Sequence, residues 1–140
     1  MTQFRIKDAA ALLGVSDDTL RRWADAGRIA LGTDDTGRAV VDGKDLAALA
    51  QELAATAPSA ASEAVVAHSV RNRITGLVTR VVKDTVMAQV EIQAGPYRIV
   101  SLLSREAADE LGLEPGVLAV AAIKATNVSV EIPARDRTQR

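Results

Sequence analysis

The apolar residues of this chain repeat with a helical period up to about residue 53 and with a strand period after about residue 73. The change happens once. Between the two regimes, Ala54 to Ala67 is made largely of Ala, Ser, Thr, Pro and Val, and Pro58 opposes continuation of any helix entering it. A chain of 140 residues patterned this way folds as two small domains joined by a spacer. The expected class is α+β: a helical head over residues 1–53, a linker over 54–67, a β domain over 68–133 and a polar tail over 134–140.

In the head, Ile6, Ala9, Ala10 and Leu13 fall on one helical face, which predicts a helix over 4–13, and Gly14 stops it. Ser16 is a good N-cap, and Asp17 and Asp18 suit the first turn of a second helix. That helix carries Leu20, Trp23, Ala24 and Gly27 inward and Asp18, Arg21, Arg22 and Asp25 outward. Two short helices joined by Gly-Val-Ser make a helix-turn-helix. A hairpin over Ile29 to Val41 follows, turning near Asp34-Asp35-Thr36-Gly37. Asp42 then caps a third helix bearing Leu46, Leu49, Ala50 and Leu53.

In the β domain, Ile74 to Val82, Val86 to Gln93 and Tyr97 to Leu103 read as strands. Ser104 caps a helix ending at Leu111, and Val117 to Lys124 and Val128 to Ile132 read as two final strands. Three strands, a short helix and two strands is the order of a small OB-like β-barrel.

Two stretches carry the chemistry. His68-Ser69-Val70-Arg71-Asn72-Arg73 sets a hydroxyl, a guanidinium and an amide side by side. Lys124-Ala125-Thr126-Asn127 joins the last two expected strands. Brought together, they form a site of positive charge and donors without a nucleophile, suited to a small oxyanion. Other readings stay open residue by residue. Arg71 can pair with a surface carboxylate, Ser104 can serve only as a cap, and Lys124 can be a solvated edge charge. For Arg21 and Arg22, the alternative is ion pairing with Asp25 and Asp18 along the helix.

Residues 4–53 resemble the DNA-binding domain of the MerR and excisionase families, through Ile6 to Ala10, Leu13 to Ser16, Thr19 to Trp23 and Ala26 to Ile29. The resemblance implies a winged helix-turn-helix that reads double-stranded DNA with its second helix. Ser16, Thr19, Arg21, Arg22 and, on the wing, Arg38 are then the contact residues. After the wing glycine the family usually carries a basic run, where this chain has only Arg38. Residues 68–132 resemble the Mop, or TOBE, domain of molybdate-binding proteins. The matching residues are Ser69 to Asn72, Gly76, Ser104 with Glu106, Glu110 to Leu113, Gly116 and Ile123 to Thr126. That resemblance implies molybdate or tungstate as ligand, held by Ser69, Arg71, Ser104 and Lys124, with Asn72 and Thr126 as second choices. It also implies a site between domains or subunits, and so a homo-oligomer, at least a dimer and up to a hexamer. Family members can carry a hydroxyl three residues after Ser104, where this chain has Ala107.

Composition limits the alternatives. The chain has no Cys and one His, which excludes disulfides and argues against a zinc site. No apolar run reaches the ~18 residues of a membrane span, and the first residues lack an apolar signal region, so a cytoplasmic protein is expected. No catalytic dyad, activated nucleophile or phosphate loop stands out, so the chain reads as a binding protein without a cofactor. Tyr97 is the one candidate stacking residue for single-stranded nucleic acid, too little for that use of an OB-like barrel. The net charge is −1, and residues 1–50 hold seven Lys and Arg against eight Asp. DNA affinity must then come from a local basic stripe and from several heads acting together. The function expected is a molybdate- or tungstate-responsive transcription regulator. The alternative is an intracellular oxyanion buffer whose head serves assembly.

Overall fold

The computed structural model describes residues 2–57 and 68–134. The chain divides into two compact units, Met1–Ser59 and Ala60–Arg140. The expected linker lies mostly outside the described residues, at 58–67. Its first residues, Ala54 to Thr56, complete a helix.

The first unit begins with a strand, β1 (Gln3–Arg5), and not with helix. Phe4 pairs with Val41 and Arg5 with Val40, so these two residues, expected in the first helix, are extended. Helix α1 (Ile6–Leu13) starts after them without a side-chain cap and ends at Gly14, whose φ of 71° needs a glycine. Helix α2 (Asp17–Asp25) is capped by Ser16, whose hydroxyl accepts the Thr19 N–H. Strands β2 (Leu31–Thr33) and β3 (Ala39–Asp42) form the expected hairpin, and β1 makes it a three-stranded sheet of order β1-β3-β2. Helix α3 (Gly43–Thr56) is capped by Asp42, which accepts the Lys44 N–H at 2.8 Å.

One apolar cluster holds this unit together: Ile6, Ala9, Ala10, Leu20, Ile29, Val41, Leu46 and Leu49 are all buried. Ile6, Ala9, Ala10, Leu20, Leu46 and Leu49 fall at the helical phase read above. Gly27, expected on the inner face of α2, lies just past the helix, exposed and at φ 79°.

The second unit is an open, curled antiparallel sheet. Strands β4 (Asn72–Lys83), β5 (Met87–Ala94), β6 (Tyr97–Ser104) and β7 (Leu118–Ile123) take the order β6-β5-β4-β7. Helix α4 (Arg105–Glu110) connects β6 to β7. A register shift in β4 between Val78 and Arg80 bends the long strand. The core is small: Val78, Val90 and Ile92 are buried, with Ile99, Leu103, Leu113, Val117, Ala119 and Ala121 partly so.

The expected last strand, Val128 to Ile132, does not form. After a 3-10 turn (Ala125–Asn127), residues 128–134 run without regular pairing. Among the described residues the unit is therefore a half-barrel of four strands where five were expected. Period-2 apolar alternation describes a strand's faces but cannot say which edge, if any, it finds.

Candidate functional site

Two candidate surfaces follow from this architecture, one on each unit. On the half-barrel, the first residue of β4 stands opposite the last of β7. Asn72 pairs with Ile123, and the Asn72 side chain also donates to the Ile123 carbonyl at 3.1 Å. Arg71 precedes that pair on one strand and Lys124 follows it on the other. The two cations therefore share one corner of the sheet, although 53 positions separate them in sequence. Ser69 lies two residues before Arg71, and Thr126 lies in the 3-10 turn after Lys124. Ser69, Arg71, Lys124 and Thr126 are exposed, whereas Asn72 is half-buried and already engaged. Asn72 thus helps to fix the corner, and one donor of its amide is given to the backbone.

Ser104 is not at that corner. It pairs with Met87 at the start of β5, at the end of the sheet where β4 finishes with Lys83. Strand β4 has 12 residues, so about 35 Å of strand separates the two ends. Ser104 caps α4 by accepting the Ala107 N–H at 3.1 Å, which leaves its hydroxyl proton free to donate to a ligand. Within one chain the candidate ligands form two groups, Ser69, Arg71, Lys124 and Thr126 about the corner and Ser104 at the other end of the sheet.

The Ser104 end is braced by charges that sequence reading did not single out. Arg105 donates its N–H to the Val86 carbonyl at 2.8 Å and its guanidinium to the Asp84 carbonyl at 3.2 Å. Asp109 pairs with both Lys83 and Arg105. Backbone N–H groups of Met87 and Val86 hold the Asp84 carboxyl below the usual range, and the Lys83 ammonium does the same for Asp109. The spacing Arg105-Asp109, one helical turn, was the available signal.

On the first unit, α2 presents Ser16, Thr19 and Arg22 as a hydrogen-bonded row. The Ser16 and Thr19 hydroxyls are 2.9 Å apart, and Arg22 donates to the Thr19 hydroxyl at 3.2 Å. Among the described residues no ion pair joins Arg22 to Asp18 or Arg21 to Asp25, so neither arginine is neutralised along the helix. Arg21 and Arg22 are both exposed. Arg28 is otherwise occupied: it pairs with Glu52 of α3 and lies 4.8 Å over the Trp23 ring. On the wing, Asp34 accepts from the Thr36 hydroxyl and from the N–H groups of Thr36 and Arg38, which holds its carboxyl low. That turn leaves the Arg38 side chain exposed at the hairpin tip.

Among the described residues no cluster of His, Cys, Asp and Glu suits a metal ion, and no helix is long and apolar enough to cross a membrane.

These two units define a helix-turn-helix head and a small antiparallel β domain, and comparison with known proteins assigns each to a family. Residues 68–130 match the TOBE domain family, and residues 4–54 match a helix-turn-helix domain family. Molybdenum-pterin-binding proteins 1 and 2 of Clostridium pasteurianum are each 35% identical over 63 residues, which is 44% of this chain and 93% of theirs. Among solved structures, a molybdate-binding protein from Sporomusa ovata is 30% identical, with a TM-score of 0.47, over 48% of this chain and 100% of its own. The cytoplasmic molybdate-binding protein ModG, solved with molybdate bound, is 40% identical with a TM-score of 0.46, over 48% of each chain. The chain belongs to the TOBE family of these molybdenum-pterin-binding relatives and carries a helix-turn-helix domain ahead of its TOBE domain.

Proposed function

We propose that this protein is a cytoplasmic, non-enzymatic transcription regulator that binds molybdate or tungstate through its TOBE domain and double-stranded DNA through its head. One observation carries the ligand half. The Asn72–Ile123 pairing sets Arg71 and Lys124 at one corner, without a carboxylate paired to either among the described residues. A tetrahedral dianion needs such cations, plus donors around its oxygens, to offset lost hydration. Arg71 supplies a planar fork, Lys124 a point charge, and Ser69 and Thr126 hydroxyls.

Ser104 completes the ligand set only from a second copy, because its own chain places it at the far end of β4. The site is therefore shared, and the protein is at least a dimer. The free Ser104 proton donates to the anion held by the partner's cationic corner. For DNA, the unpaired Arg21 and the Thr19-held Arg22 on α2 enter the groove, with Ser16 at the helix start and Arg38 on the wing. Isothermal calorimetry with molybdate, tungstate and sulfate tests the ligand half. Tight binding of the two metal oxyanions and weak binding of sulfate is the expected result; equal affinity for all three refutes it.

The alternative, an oxyanion buffer with an assembly head, shares the ligand site and differs only in the head. The unpaired arginines on α2 favour the regulator. Selection of a DNA sequence from a random pool by the full chain separates the two.

A further inference from the structure

The outward face of α2 is a diamond of four charges. Asp18 and Asp25 are seven residues apart in sequence, so they lie on one line along the helix. Arg21 and Arg22 follow Asp18 by three and four positions, which puts one arginine on each side of that line. All four residues are exposed. Leu20, Trp23 and Ala24 take the opposite side, Leu20 buried and the other two packed against the same core. The part of α2 farthest from the core is therefore the acidic midline.

Such spacings favour ion pairs along a helix. Among the described residues neither arginine pairs with either aspartate. Arg22 is held elsewhere: its Nη2 donates to the Thr19 hydroxyl at 3.2 Å, and that hydroxyl meets Ser16 Oγ at 2.9 Å. Ser16 Oγ also accepts the Thr19 N–H at 3.2 Å, which anchors the row at the helix start. The row draws Arg22 to one flank and leaves the Asp18 carboxylate without a cation.

A helix in the major groove meets phosphates with its flanks and base edges with its midline, its N-terminal residues foremost. Arg21 and Arg22 suit the two walls, and Asp18, in the first turn, suits the floor. Asp25, at the other end of the helix, does not reach it. A carboxylate at the floor is selective because it only accepts. Guanine O6 and N7 and thymine O4 are acceptors and repel it. Adenine sets N7 beside its amine, whereas cytosine offers an amine with no acceptor next to it on the same base.

We propose that Asp18 reads a cytosine in each half-site, accepting a hydrogen bond from its N4 amine, while Arg21 and Arg22 neutralise phosphates on either side. The proposal rests on the DNA-binding reading above and gives it a base. It also accounts for a DNA-reading head whose first 50 residues hold eight Asp against seven Lys and Arg. The carboxylate that favours cytosine weakens binding to every other base.

The test selects duplexes from a random pool with the full chain and with its Asp18→Asn and Asp25→Asn variants. Each protein is then titrated against the selected operator and its single base-pair changes. Both aspartates are exposed, so neither substitution disturbs the core. The parent fixes cytosine at one position of each half-site, and exchanging that C·G pair for T·A lowers its affinity roughly 5- to 150-fold. Asp18→Asn moves the preference at that position to adenine, whose N6 and N7 an amide meets together. Asp25→Asn, the same charge change on the same line, keeps cytosine. The same base preference in the parent and in Asp18→Asn overturns the proposal, leaving Asp18 as a helix-end charge and the DNA-binding reading intact. An Asp18-sensitive position held by any base other than cytosine overturns it too, as does an equal shift in Asp25→Asn. If the parent selects no sequence at all, the DNA-binding reading fails and this proposal with it.

Discussion

Asn72 and Ile123 face each other at the corner of the half-barrel, and the asparagine side chain adds a second link to the Ile123 carbonyl at 3.1 Å. This pair decides what the flanking residues can do. It brings Arg71 and Lys124, one from each end of the domain sequence, to the same place. One of its two amide N–H groups makes that link, so Asn72 helps to position the corner while keeping a donor and its carbonyl oxygen.

Arg71→Ala should weaken molybdate or tungstate binding, and the size of the loss reports where the site lies. An exposed ion pair contributes about 0–1 kcal/mol. A charge-assisted interaction buried between two copies, once broken, costs roughly 2–5 kcal/mol. The shared site predicts the larger figure, by calorimetry. A loss within the smaller range places Arg71 at an open surface.

Arg21→Ala with Arg22→Ala should lower affinity for a selected operator. It should also reduce the salt dependence by about one unit of log–log slope for each phosphate the variant no longer neutralises. Thr19→Val removes only the hydroxyl that receives Arg22, so its effect should be smaller and in the same direction. Titrations at several salt concentrations decide it. Unchanged operator binding by the double variant removes α2 from the interface.

Acid should loosen the Ser104 end of the half-barrel. Asp109 is held low chiefly by Lys83 and Asp84 by the Met87 and Val86 N–H groups. A carboxylate whose folded pKa is depressed stabilises the fold above its unfolded value, and that stabilisation is lost as pH falls through the folded one. Asp109→Asn should therefore melt below the parent at about pH 7, and the difference should shrink by about pH 3. A gap in melting temperature that stays constant across that range would mean the carboxylate's charge is irrelevant.

Gly76 faces the partner strand too closely for a side chain. A Cβ there would lie 2.5 Å from the Gln93 carbonyl oxygen and 2.8 Å from an Ile92 methyl. Backbone cannot yield cheaply, so Gly76→Ala should destabilise by roughly 1–3 kcal/mol in urea unfolding. An unchanged urea midpoint contradicts the packing described for β4 and β5.

Much of this architecture was legible because it is local. Ser16, Gly14 and Asp42 announce helix ends through their own backbone chemistry, and the Asp34-to-Gly37 turn does the same for the wing. The misreadings are non-local. Phe4 and Arg5 sit beside a helical pattern, but their strand comes from pairing with Val41 and Val40. Ser104 is no misreading, since it caps its helix as expected, although cap chemistry alone does not say which end of the sheet that helix occupies. Val128 to Ile132 has the strand pattern, but pairing requires an edge, and its own chain provides none that it reaches.

The central claim is that oxyanion binding and operator binding are linked, and reciprocity gives its most direct measurement. Operator affinity is measured with and without saturating molybdate, and molybdate affinity with and without saturating operator. Linkage requires the two ratios to be equal. Because the join between the domains is rich in small residues, chiefly Ala, a coupling of about 1–3 kcal/mol, on the order of 5–150-fold, is expected. Operator affinity that is indifferent to saturating molybdate, in a protein that binds both, would contradict the account and leave an oxyanion buffer.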